Sequence, residues 1–380
     1  MLPALRGLLT DDPGDASADH AVRDLLLRVV EERLRRGLPA VVVSPGAPGK
    51  ALRDPLLARA RALHSPVVVL GLLGPAPGAA LLAELDELSR RRAVREVLRL
   101  TAAPSALRWV APPCDRRELT GCFDLIGDVH GCADELLELL ARLGWSADPA
   151  GRWSHPEGRR LVFLGDLVDR GPRILDALRL VLDLCQQGVA LCVLGNHDDK
   201  LRRHLQGKQV KPAHGLDRTL AELAALPPAE RAALEARALA FFLARPDHLV
   251  LDGGRLVAVH GGLRPDMIGR EGGEVRAFAL YGDTTGEVDD VGYPVRRDWA
   301  ARHEGLARIV YGHTPTPAPV WQNGTLDIDQ GCVFGGSLTA LRWPELVTVR
   351  VPARAAHWPR RGGADVDSRP QPPPRPEDDP

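Results

Sequence analysis

The stretch FDLIGDVHG, Phe123 to Gly131, decides the fold. Its first four residues form a short, mostly apolar run that predicts one buried strand. Gly127 then allows a sharp exit, and Asp128 and His130 follow two positions apart. Because side chains two apart in an extended segment point to one side, a carboxylate and an imidazole there can converge on a cation. A single D-x-H triplet is more typical of a polar turn, so the metal interpretation depends on the pattern recurring.

The pattern recurs at four further apolar runs, which predict four more strands. Each run ends in a metal-type side chain after or beside glycine: Asp166 in GDLVDRGP, Asn196 in GNHDD, His260 in HGG and His313 in GHTPTP. Strand ends at one edge of a sheet are where α/β folds build their sites, because the loops there converge. One such histidine could be an ordinary core residue, whereas five strand ends with the same pattern favour a shared site.

The number of candidate ligands suits two metal ions. The candidates are Asp128, His130, Asp166, Asn196, His260 and His313. Carboxylate, amide and imidazole ligands without a thiolate favour manganese, iron or a similar borderline ion over structural zinc. Two such ions activate water near neutral pH and hold both ends of an in-line phosphoryl displacement. We assign His197 outside the metal ligands, because an imidazole steered by the adjacent Asp198 can protonate a leaving alkoxide.

Composition excludes several other classes of protein. A net charge of -1 over 380 residues excludes a strongly basic nucleic-acid binder but not a local basic groove. The six cysteines include no C-x-x-C pair and suggest no disulfide framework. Neither a signal-peptide pattern nor an 18-residue apolar run is present, so we expect a soluble, cytoplasmic protein with no membrane partner.

As a set, GDVHG, GDLVDRG, GNHD, HGG and GHTP resemble the calcineurin-like metallophosphoesterases. The branch in question contains phosphoprotein phosphatases and diadenosine tetraphosphate hydrolases. Longer strings, including CDRRELTGCFDLIGDVHGC, FALYGDTTGE and LDIDQGCVFGGSLTALRWPE, more closely resemble the phosphatase module of bacterial polynucleotide kinase-phosphatase, an RNA-repair enzyme. The resemblance implies an α/β fold, an αββα sandwich of two mixed sheets with the metals at one edge.

The resemblance also implies how the site is divided. Asp128, His130 and Asp166 would hold one metal, and Asp166 would bridge to a second held by Asn196, His260 and His313. The cofactors would be two divalent ions, manganese first, with iron, nickel or cobalt as alternatives.

Four further residues receive roles from the same resemblance. Arg170 would bind the substrate phosphate, and His197 would be the general acid with Asp198 as its orienting partner. Asp329 in LDIDQG matches an acidic position near the family's active site and would contact substrate.

The N-terminal region, residues 1–112, resembles a degenerate P-loop kinase module followed by a linker. A helix over 21–36 and a strand over 39–43 precede SPGAPGK, in the P-loop order. Ser44 replaces the first glycine and Ala51 replaces the hydroxyl that should bind Mg²⁺, so we expect a structural remnant without nucleotide binding. The family's ligase module is also missing from the sequence.

Three other segments complete the predicted organisation. Residues 84–99 predict a charged helix, and 113–352 form the metallophosphoesterase domain. The Pro-rich segment 353–380 predicts a disordered tail. A helical insertion over 213–245 either overhangs the metals or packs as a hairpin without a substrate role.

The function hypothesis is a two-metal phosphatase that hydrolyses phosphate monoesters, at 3′-phosphate or 2′,3′-cyclic phosphate ends of RNA or DNA. The enzymatic alternatives are a serine/threonine protein phosphatase or a diadenosine tetraphosphate hydrolase. The non-enzymatic alternative is a scaffold of an RNA-repair assembly with a vestigial metal site. The intact ligand set argues against the scaffold, since the P-loop has degenerated while every metal position remains.

Overall fold

The computed structural model describes residues 19–35, 50–65, 67–72, 79–90, 94–100, 112–289 and 294–359. The chain divides into two compact units. The first comprises residues 1–114 with 266–276, and the second comprises residues 115–265 with 277–380.

The first unit contains a parallel βαβ arrangement. Its elements are α1 (Asp19–Arg35), α2 (Lys50–Ala62), β1 (Val67–Leu72), α3 (Ala79–Ser89) and β2 (Val94–Leu100). Strands β1 and β2 pair in parallel, with α3 as the connection between them. The predicted first helix is thus present, whereas the predicted strand over 39–43 and the loop SPGAPG lie outside the described residues.

The charged helix predicted over 84–99 is wrong. Helix α3 ends at Ser89, and the residues from Val94 to Leu100 pair with β1 as a strand. The arginines and glutamates of this segment suit a helix, but β-branched valines at 94 and 97 suit a strand. Pairing with β1 decides between the two.

The second unit is built from helices and two mixed sheets. Its helices are α4 (Ala133–Leu143), α5 (Ile174–Gln186), α6 (Asn196–Leu205), α7 (Leu216–Ala224), α8 (Pro228–Leu243) and α9 (Gly273–Tyr281), the last shared with the first unit. Its strands are β3 (Phe123–Ile126), β4 (Ser146–Ala147), β5 (Trp153–Ser154), β6 (Arg160–Phe163), β7 (Ala190–Cys192), β8 (His248–Leu251), β9 (Leu256–Val259), β10 (Thr284–Val288), β11 (Pro294–Arg296), β12 (Arg308–Tyr311), β13 (Trp321–Gln322), β14 (Thr325–Asp327), β15 (Asp329–Gln330), β16 (Ser337–Trp343) and β17 (Val347–Pro352).

The first sheet has the order β15-β16-β3-β6-β7, with β17 pairing on β16, and the second has the order β13-β14-β12-β9-β8. In the first sheet β3, β6 and β7 are mutually parallel, whereas β16 is antiparallel to β3. In the second, β12 is parallel to both β9 and β14, whereas β8 is antiparallel to β9. Both sheets are therefore mixed, as expected.

Two hydrophobic cores give the unit its layers. The inter-sheet core joins side chains of both sheets, such as Phe123 and Leu125 of β3 with Leu256 and Val310. The outer core joins the opposite face of the first sheet, including Ile126 of β3, to helices α4 and α5. Alternate residues of one strand thus serve different layers, because side chains along a strand point to opposite faces. The αββα sandwich expected from the sequence is confirmed.

One strand residue in β3 is charged, and it anchors a buried ion cluster. The carboxylate of Asp124 accepts hydrogen bonds from Arg159 Nε at 2.8 Å, Trp145 Nε1 at 2.9 Å and Arg342 Nε at 3.3 Å. Arg159 also donates to Glu345 at 2.7 Å, and both Asp124 and Arg159 are fully buried. The burial of this charge is therefore matched by multiple hydrogen bonds.

The prediction of a disordered tail from residue 353 is wrong for residues 353–359. Backbone N–H groups of Ala353, His357 and Trp358 donate to the turn at Val333 to Gly336, and Phe334 forms a β-bridge with Ala356. Residues 353–359 thus complete the fold beyond β17, and the remainder of the predicted tail lies outside the described residues. In the part of the chain that the structure covers, no helix has the length and apolar character needed to cross a membrane.

Candidate metal centre

The five strands predicted from the apolar runs are present, and their carboxyl ends build one site. Strands β3, β6 and β7 of the first sheet run parallel, as do β9 and β12 of the second. The ligands expected after each strand therefore meet at one edge of the sandwich, with both sheets contributing.

The backbone at this edge is strained. Five residues of the candidate site have left-handed φ angles: His130 (43°), Asp166 (49°), Asp169 (73°), Arg170 (70°) and His313 (74°). Non-glycine residues adopt this region rarely, at a cost on the order of 1–3 kcal/mol each. The surrounding fold holds them there, which is typical of side chains that are positioned for a function.

His130 and Asp166 define the first half of the centre. His130 Nδ1 donates to the Val168 carbonyl at 2.8 Å, which leaves the Nε2 lone pair facing Asp166 Oδ2 at 3.4 Å. The same Asp166 carboxylate accepts the backbone N–H of His197 at 2.9 Å through Oδ1. A carbonyl partner on Nδ1 fixes the tautomer in which Nε2 is a metal ligand.

His260, Asn196 and His313 define the second half. His260 Nδ1 lies 3.0 Å from the Leu164 carbonyl, and its Nε2 lies 2.9 Å from Asn196 Oδ1 and 3.0 Å from His313 Nδ1. Asp166 Oδ1 is 3.5 Å from the same His260 Nε2. Asp166 therefore faces both halves of the centre, as a bridging ligand must.

Asp128 contacts residues of the second half and is held by the GHTP loop. Its carboxylate accepts the backbone N–H of His313 at 3.3 Å, and its Oδ1 is 3.9 Å from His260 Nδ1. Burial, together with the nearby carboxylates of Asp329 and Asp166, raises the pKa of Asp128. Burial and the Asp198 carboxylate likewise raise the pKa of Asp166.

The donor set fits two divalent cations. Asp166, His130 and His197 offer ligand atoms within 4.8 Å of one another, and so do Asp166, His260 and His313. Burial lowers the pKa of His260 to about 3 and holds the pKa values of His130 and His313 well below the usual range. Neutral imidazoles beside crowded carboxylates suit a cation rather than a proton.

Two glycines leave room for the carboxylates of this centre. A Cβ on Gly312 would lie 2.3 Å from Asp128 Oδ1, and a Cβ on Gly195 would lie 2.3 Å from Asp166 Oδ1. The glycines of the GHTP and GNHD motifs are therefore required by close packing against two predicted ligands.

His197 is oriented by a residue that the sequence did not indicate. Its Nδ1 lies 2.6 Å from Asp169 Oδ2, and the other oxygen of Asp169 accepts Thr219 Oγ1 at 2.5 Å. The sequence-based choice of Asp198 as the orienting partner is wrong. Asp198 is the third residue of α6, and its oxygens accept the backbone N–H groups of Leu167 at 3.0 Å and of Gly195, the helix N-cap, at 3.2 Å.

Two arginines flank the centre. Arg170 donates to the Nε2 atoms of His130 and His197 at 2.8 Å each, and its guanidinium lies 5.3 Å from the Phe334 ring centre. Arg296 of β11 donates to His313 Nε2 at 2.8 Å. Sequence reasoning identified Arg170 from its motif but missed Arg296, which ends the short strand β11 and belongs to no motif.

Asp329 is placed beside Asp128 and is 5% exposed. Its Oδ1 accepts the backbone N–H of Gly331 at 2.9 Å, and its negative charge raises the pKa of Asp128. The structure thus shows Asp329 shaping the electrostatics of a ligand, and its substrate contact stays a prediction.

The helical insertion reaches the site through α7. Thr219 of α7 bonds Asp169, and Arg218 Nη1 donates to the Arg170 carbonyl at 2.6 Å. The carboxylate of Glu222 accepts the first backbone N–H groups of α5, those of Ile174 and Leu175. The insertion was expected either to overhang the metals or to pack as a hairpin. The structure shows packing, and the packing partner is the loop that carries Asp169 and Arg170.

The fold and site define a metal-dependent phosphoric ester hydrolase. The family model for calcineurin-like phosphoesterases matches residues 123–317, and the chain belongs to this family. The family-level resemblance drawn from the motifs is confirmed.

The chain is similar to proteins named bis(5′-nucleosyl)-tetraphosphatase PrpE [asymmetrical]. The protein from Geobacillus sp. (strain WCH70) is 48% identical over 239 residues, which cover 63% of this chain and 97% of the relative. The protein from Bacillus subtilis (strain 168) is 45% identical over 231 residues, which cover 61% of this chain and 94% of the relative. A crystal structure provisionally described as a diadenosine tetraphosphatase covers 63% of this chain and 96% of its own, with 27% identity and a TM-score of 0.46.

Proposed function

We propose that this chain hydrolyses bis(5′-nucleosyl) tetraphosphates asymmetrically, to a nucleoside triphosphate and a nucleoside monophosphate. The observation that carries a two-metal hydrolase is the pair of ligand clusters sharing Asp166, flanked by Arg170 and Arg296. The substrate class is supported by relatives of that name, which this chain covers almost completely at close to half identity.

This proposal changes the order of the hypotheses drawn from sequence. Polynucleotide 3′-phosphate or cyclic phosphate ends came first there, and the dinucleoside tetraphosphate was an alternative. The relatives reported above support the alternative. They do not support the polynucleotide-end substrate or the finer resemblance to the RNA-repair phosphatase.

Two divalent cations would be held by residues of the two clusters other than His197, together with Asp128 and Asn196. Asp128, His130 and Asp166 would serve one, and Asp166, Asn196, His260 and His313 would serve the other. When bound, the ions supply Lewis acidity that activates water and neutralises phosphoryl charge.

The chain's own residues provide the remaining chemistry. Arg170 presents two guanidinium N–H groups to the centre, the geometry that bidentate phosphate recognition requires. Because Nδ1 of His197 is held by Asp169 and its Nε2 accepts from Arg170, His197 would act as an acid once Arg170 turns to the substrate phosphate and Nε2 takes up a proton. It would give that proton to the departing phosphate oxygen as the P–O–P bond breaks and water adds to phosphorus. The attacking water would leave its hydroxyl on one product, and the proton it releases would replace the one that His197 gave up.

Arg296 gives the proposal a structural basis for a longer polyphosphate. It contacts His313, whereas Arg170 contacts His130 and His197, so the two guanidinium groups bind different ligand side chains of the centre. A single phosphate needs one such clamp, whereas a tetraphosphate offers further phosphoryl groups for a second. We therefore assign Arg296 to a phosphate next to the one that is attacked.

A substrate panel tests the proposal directly. Purified protein with Mn²⁺ is given diadenosine tetraphosphate, a 3′-phosphorylated oligonucleotide, cyclic-ended RNA and a phosphopeptide, and kcat/KM is compared. We expect the highest value for diadenosine tetraphosphate, with ATP and AMP formed in equal amounts. Preferential hydrolysis of the oligonucleotide would restore the polynucleotide hypothesis, and formation of two ADP would refute asymmetrical cleavage.

Arg296→Ala tests the second clamp, with Arg297→Ala as its matched control. Loss of a charged hydrogen bond of about 1.5–3 kcal/mol should raise KM for the tetraphosphate by roughly 10- to 100-fold. The change on a simple aryl phosphate should be much smaller. Arg297 occupies the next position but pairs with Asp283 at 3.1 Å and is half exposed, so its loss should leave both substrates unaffected. Equal effects of Arg296→Ala on both substrates would remove the assignment.

A further inference from the structure

A second cluster of metal-type side chains lies beside the catalytic centre and takes no part in it. Cys132, Glu135 and Cys332 offer two sulfur atoms and a carboxylate oxygen within 4.8 Å of one another. The three residues are 0%, 1% and 2% exposed. Sequence spacing gave no sign of this cluster, because Cys132 and Cys332 lie far apart in the chain.

The fold brings three segments together at this point. Cys132 is the residue before α4 and forms no side-chain capping bond, and Glu135 lies in the first turn of that helix. Cys332 lies in the turn between β15 and β16, where its carbonyl accepts the N–H of Gly335. The cluster therefore joins the loop of His130 to the turn that follows Asp329.

Glu135 is a buried carboxylate with few partners. Its Oε1 accepts the backbone N–H of Arg354 at 2.9 Å and lies 3.9 Å from His357 Nε2. The guanidinium of Arg354 instead pairs with Asp134 at 3.2 Å. Among the described residues, no arginine or lysine pairs with Glu135. A carboxylate removed from water in this way is costly unless a cation neutralises it.

His357 offers a fourth donor on the Glu135 side of the cluster, outside the group of three whose donor atoms lie within 4.8 Å of one another. In a tetrahedral zinc site with Zn–N and Zn–O bonds near 2.0–2.1 Å, a nitrogen and an oxygen ligand are about 3.3 Å apart. The observed separation of 3.9 Å between His357 Nε2 and Glu135 Oε1 is longer than this by about 0.6 Å, so binding would draw the His357 ring inward toward Glu135 and the two sulfur atoms. The segment carrying His357 is already fixed by backbone hydrogen bonds to Val333.

We propose that Cys132, Glu135, Cys332 and His357 bind one zinc ion, separate from the catalytic metals. Two thiolates, an imidazole and a carboxylate fill four positions and leave none open, which defines a structural rather than a catalytic site. The ion would brace the GDVHGC loop, the QGCVFGG turn and the segment after β17. A disulfide between the cysteines would use neither Glu135 nor His357, so it would leave the buried carboxylate unexplained.

Cobalt substitution tests the site in the unaltered protein. The full chain is purified under reducing conditions, stripped of metal and titrated with Co²⁺. We expect a sulfur-to-cobalt charge-transfer band in the near ultraviolet, because thiolates ligate the ion. None of the predicted catalytic ligands contains sulfur, so the catalytic centre cannot produce this band. Full loading with cobalt without the band would overturn the proposal.

Metal stoichiometry of a matched pair of variants gives an independent measurement. Cys332→Ala should bind one zinc ion per chain fewer than the wild type and lose the cobalt band. Cys192→Ala removes an equally buried cysteine from β7 and should keep both. Equal zinc content in both variants would overturn the proposal. So would a disulfide in the wild type purified under reducing conditions, which mass spectrometry would show as a mass lower by two hydrogen atoms than that of the fully reduced chain.

Discussion

The Asp169→Asn variant tests whether His197 acts as an oriented general acid or as a metal ligand. The Asp169 carboxylate is fully buried, and it is divided between His197 Nδ1 at 2.6 Å and Thr219 Oγ1 at 2.5 Å. Asparagine keeps the shape but removes the charge, and its NH₂ group must face one of the two former donors. The imidazole then loses the anion that fixes its ring and stabilises its positive charge.

The expected loss of rate in Asp169→Asn follows from the contribution of general acid catalysis that the His197–Asp169 hydrogen bond supports. General acid catalysis is worth about 10² to 10⁴ in rate, or roughly 2.7–5.5 kcal/mol at 1.36 kcal/mol per factor of ten. A neutral hydrogen bond has roughly half the strength of a charge-assisted one, so part of this contribution persists in the variant. We expect kcat to fall by about 30- to 300-fold on a 3′-nucleotide, whose alkoxide needs a proton to leave. On p-nitrophenyl phosphate, whose leaving group needs none, the loss should be only a few-fold.

The assay compares kcat on both substrates with the number of metal ions bound per chain. His197→Ala should show the same selectivity at larger amplitude, with the metal content unchanged. Asp198→Asn is the matched control, because Asp198 accepts the N–H groups of Leu167 and Gly195 rather than contacting His197. It should lower thermal stability without changing the ratio of the two rates.

Two results would refute this reasoning. Equal losses on both substrates with depleted metal would make His197 a ligand, which its place in one cluster with His130 and Asp166 permits geometrically. A leaving-group effect in Asp198→Asn that is absent in Asp169→Asn would restore the partner chosen from sequence.

Three further predictions concern the metals and the core. Hydrolysis of an aryl phosphate should require added divalent metal and vanish in Asp166→Asn, and turnover by the wild type in excess chelator would contradict the two-metal centre. Gly312→Ala should lower metal affinity by at least about 10-fold, since its Cβ would lie 2.3 Å from Asp128 Oδ1 and displace a ligand; unchanged binding by calorimetry would contradict this. Asp124→Asn should lower the free energy of unfolding by about 3 kcal/mol in a urea titration, because it leaves the buried Arg159 without part of its counter-charge. A loss below about 1 kcal/mol would show that Glu345 alone satisfies Arg159.

The predictable part of this fold is the part with a local signal. The five ligand strands could be predicted because each is an apolar run that stops at glycine and a polar residue, a pattern that backbone geometry imposes locally. The charged segment ending in β2 was misassigned because its partner strand, not its own composition, makes it extended. The short C-terminal strands β13 to β15 carry too few residues for any periodicity to show.

The presence or absence of a local sequence signal also explains which site residues could be predicted and which could not. The predicted metal ligands lie directly after strands and could be identified from sequence, whereas Asp169 and Arg296 are brought to the site by backbone turns and strand positions that only tertiary packing determines. Asp198 adjoins His197 in the sequence, whereas Asp169 lies 28 residues away in the GDLVDRG motif, so sequence distance favoured the residue that does not contact His197. The left-handed turn at Asp169 and Arg170, held by α7, decides between them.

The division of the ligands between two sheets has a consequence for how this enzyme tolerates change. Asp128, Asp166 and Asn196 follow strands of one sheet, and His260 and His313 follow strands of the other. The separation between the candidate ligands of the two sheets is therefore governed by the thickness of the side-chain layer between the sheets. We expect a volume change at Leu125 in that layer to shift these side chains relative to one another, and one at Leu136 in the outer layer to act mainly on stability. Substitutions between the sheets should therefore disturb the site more than substitutions under the helices.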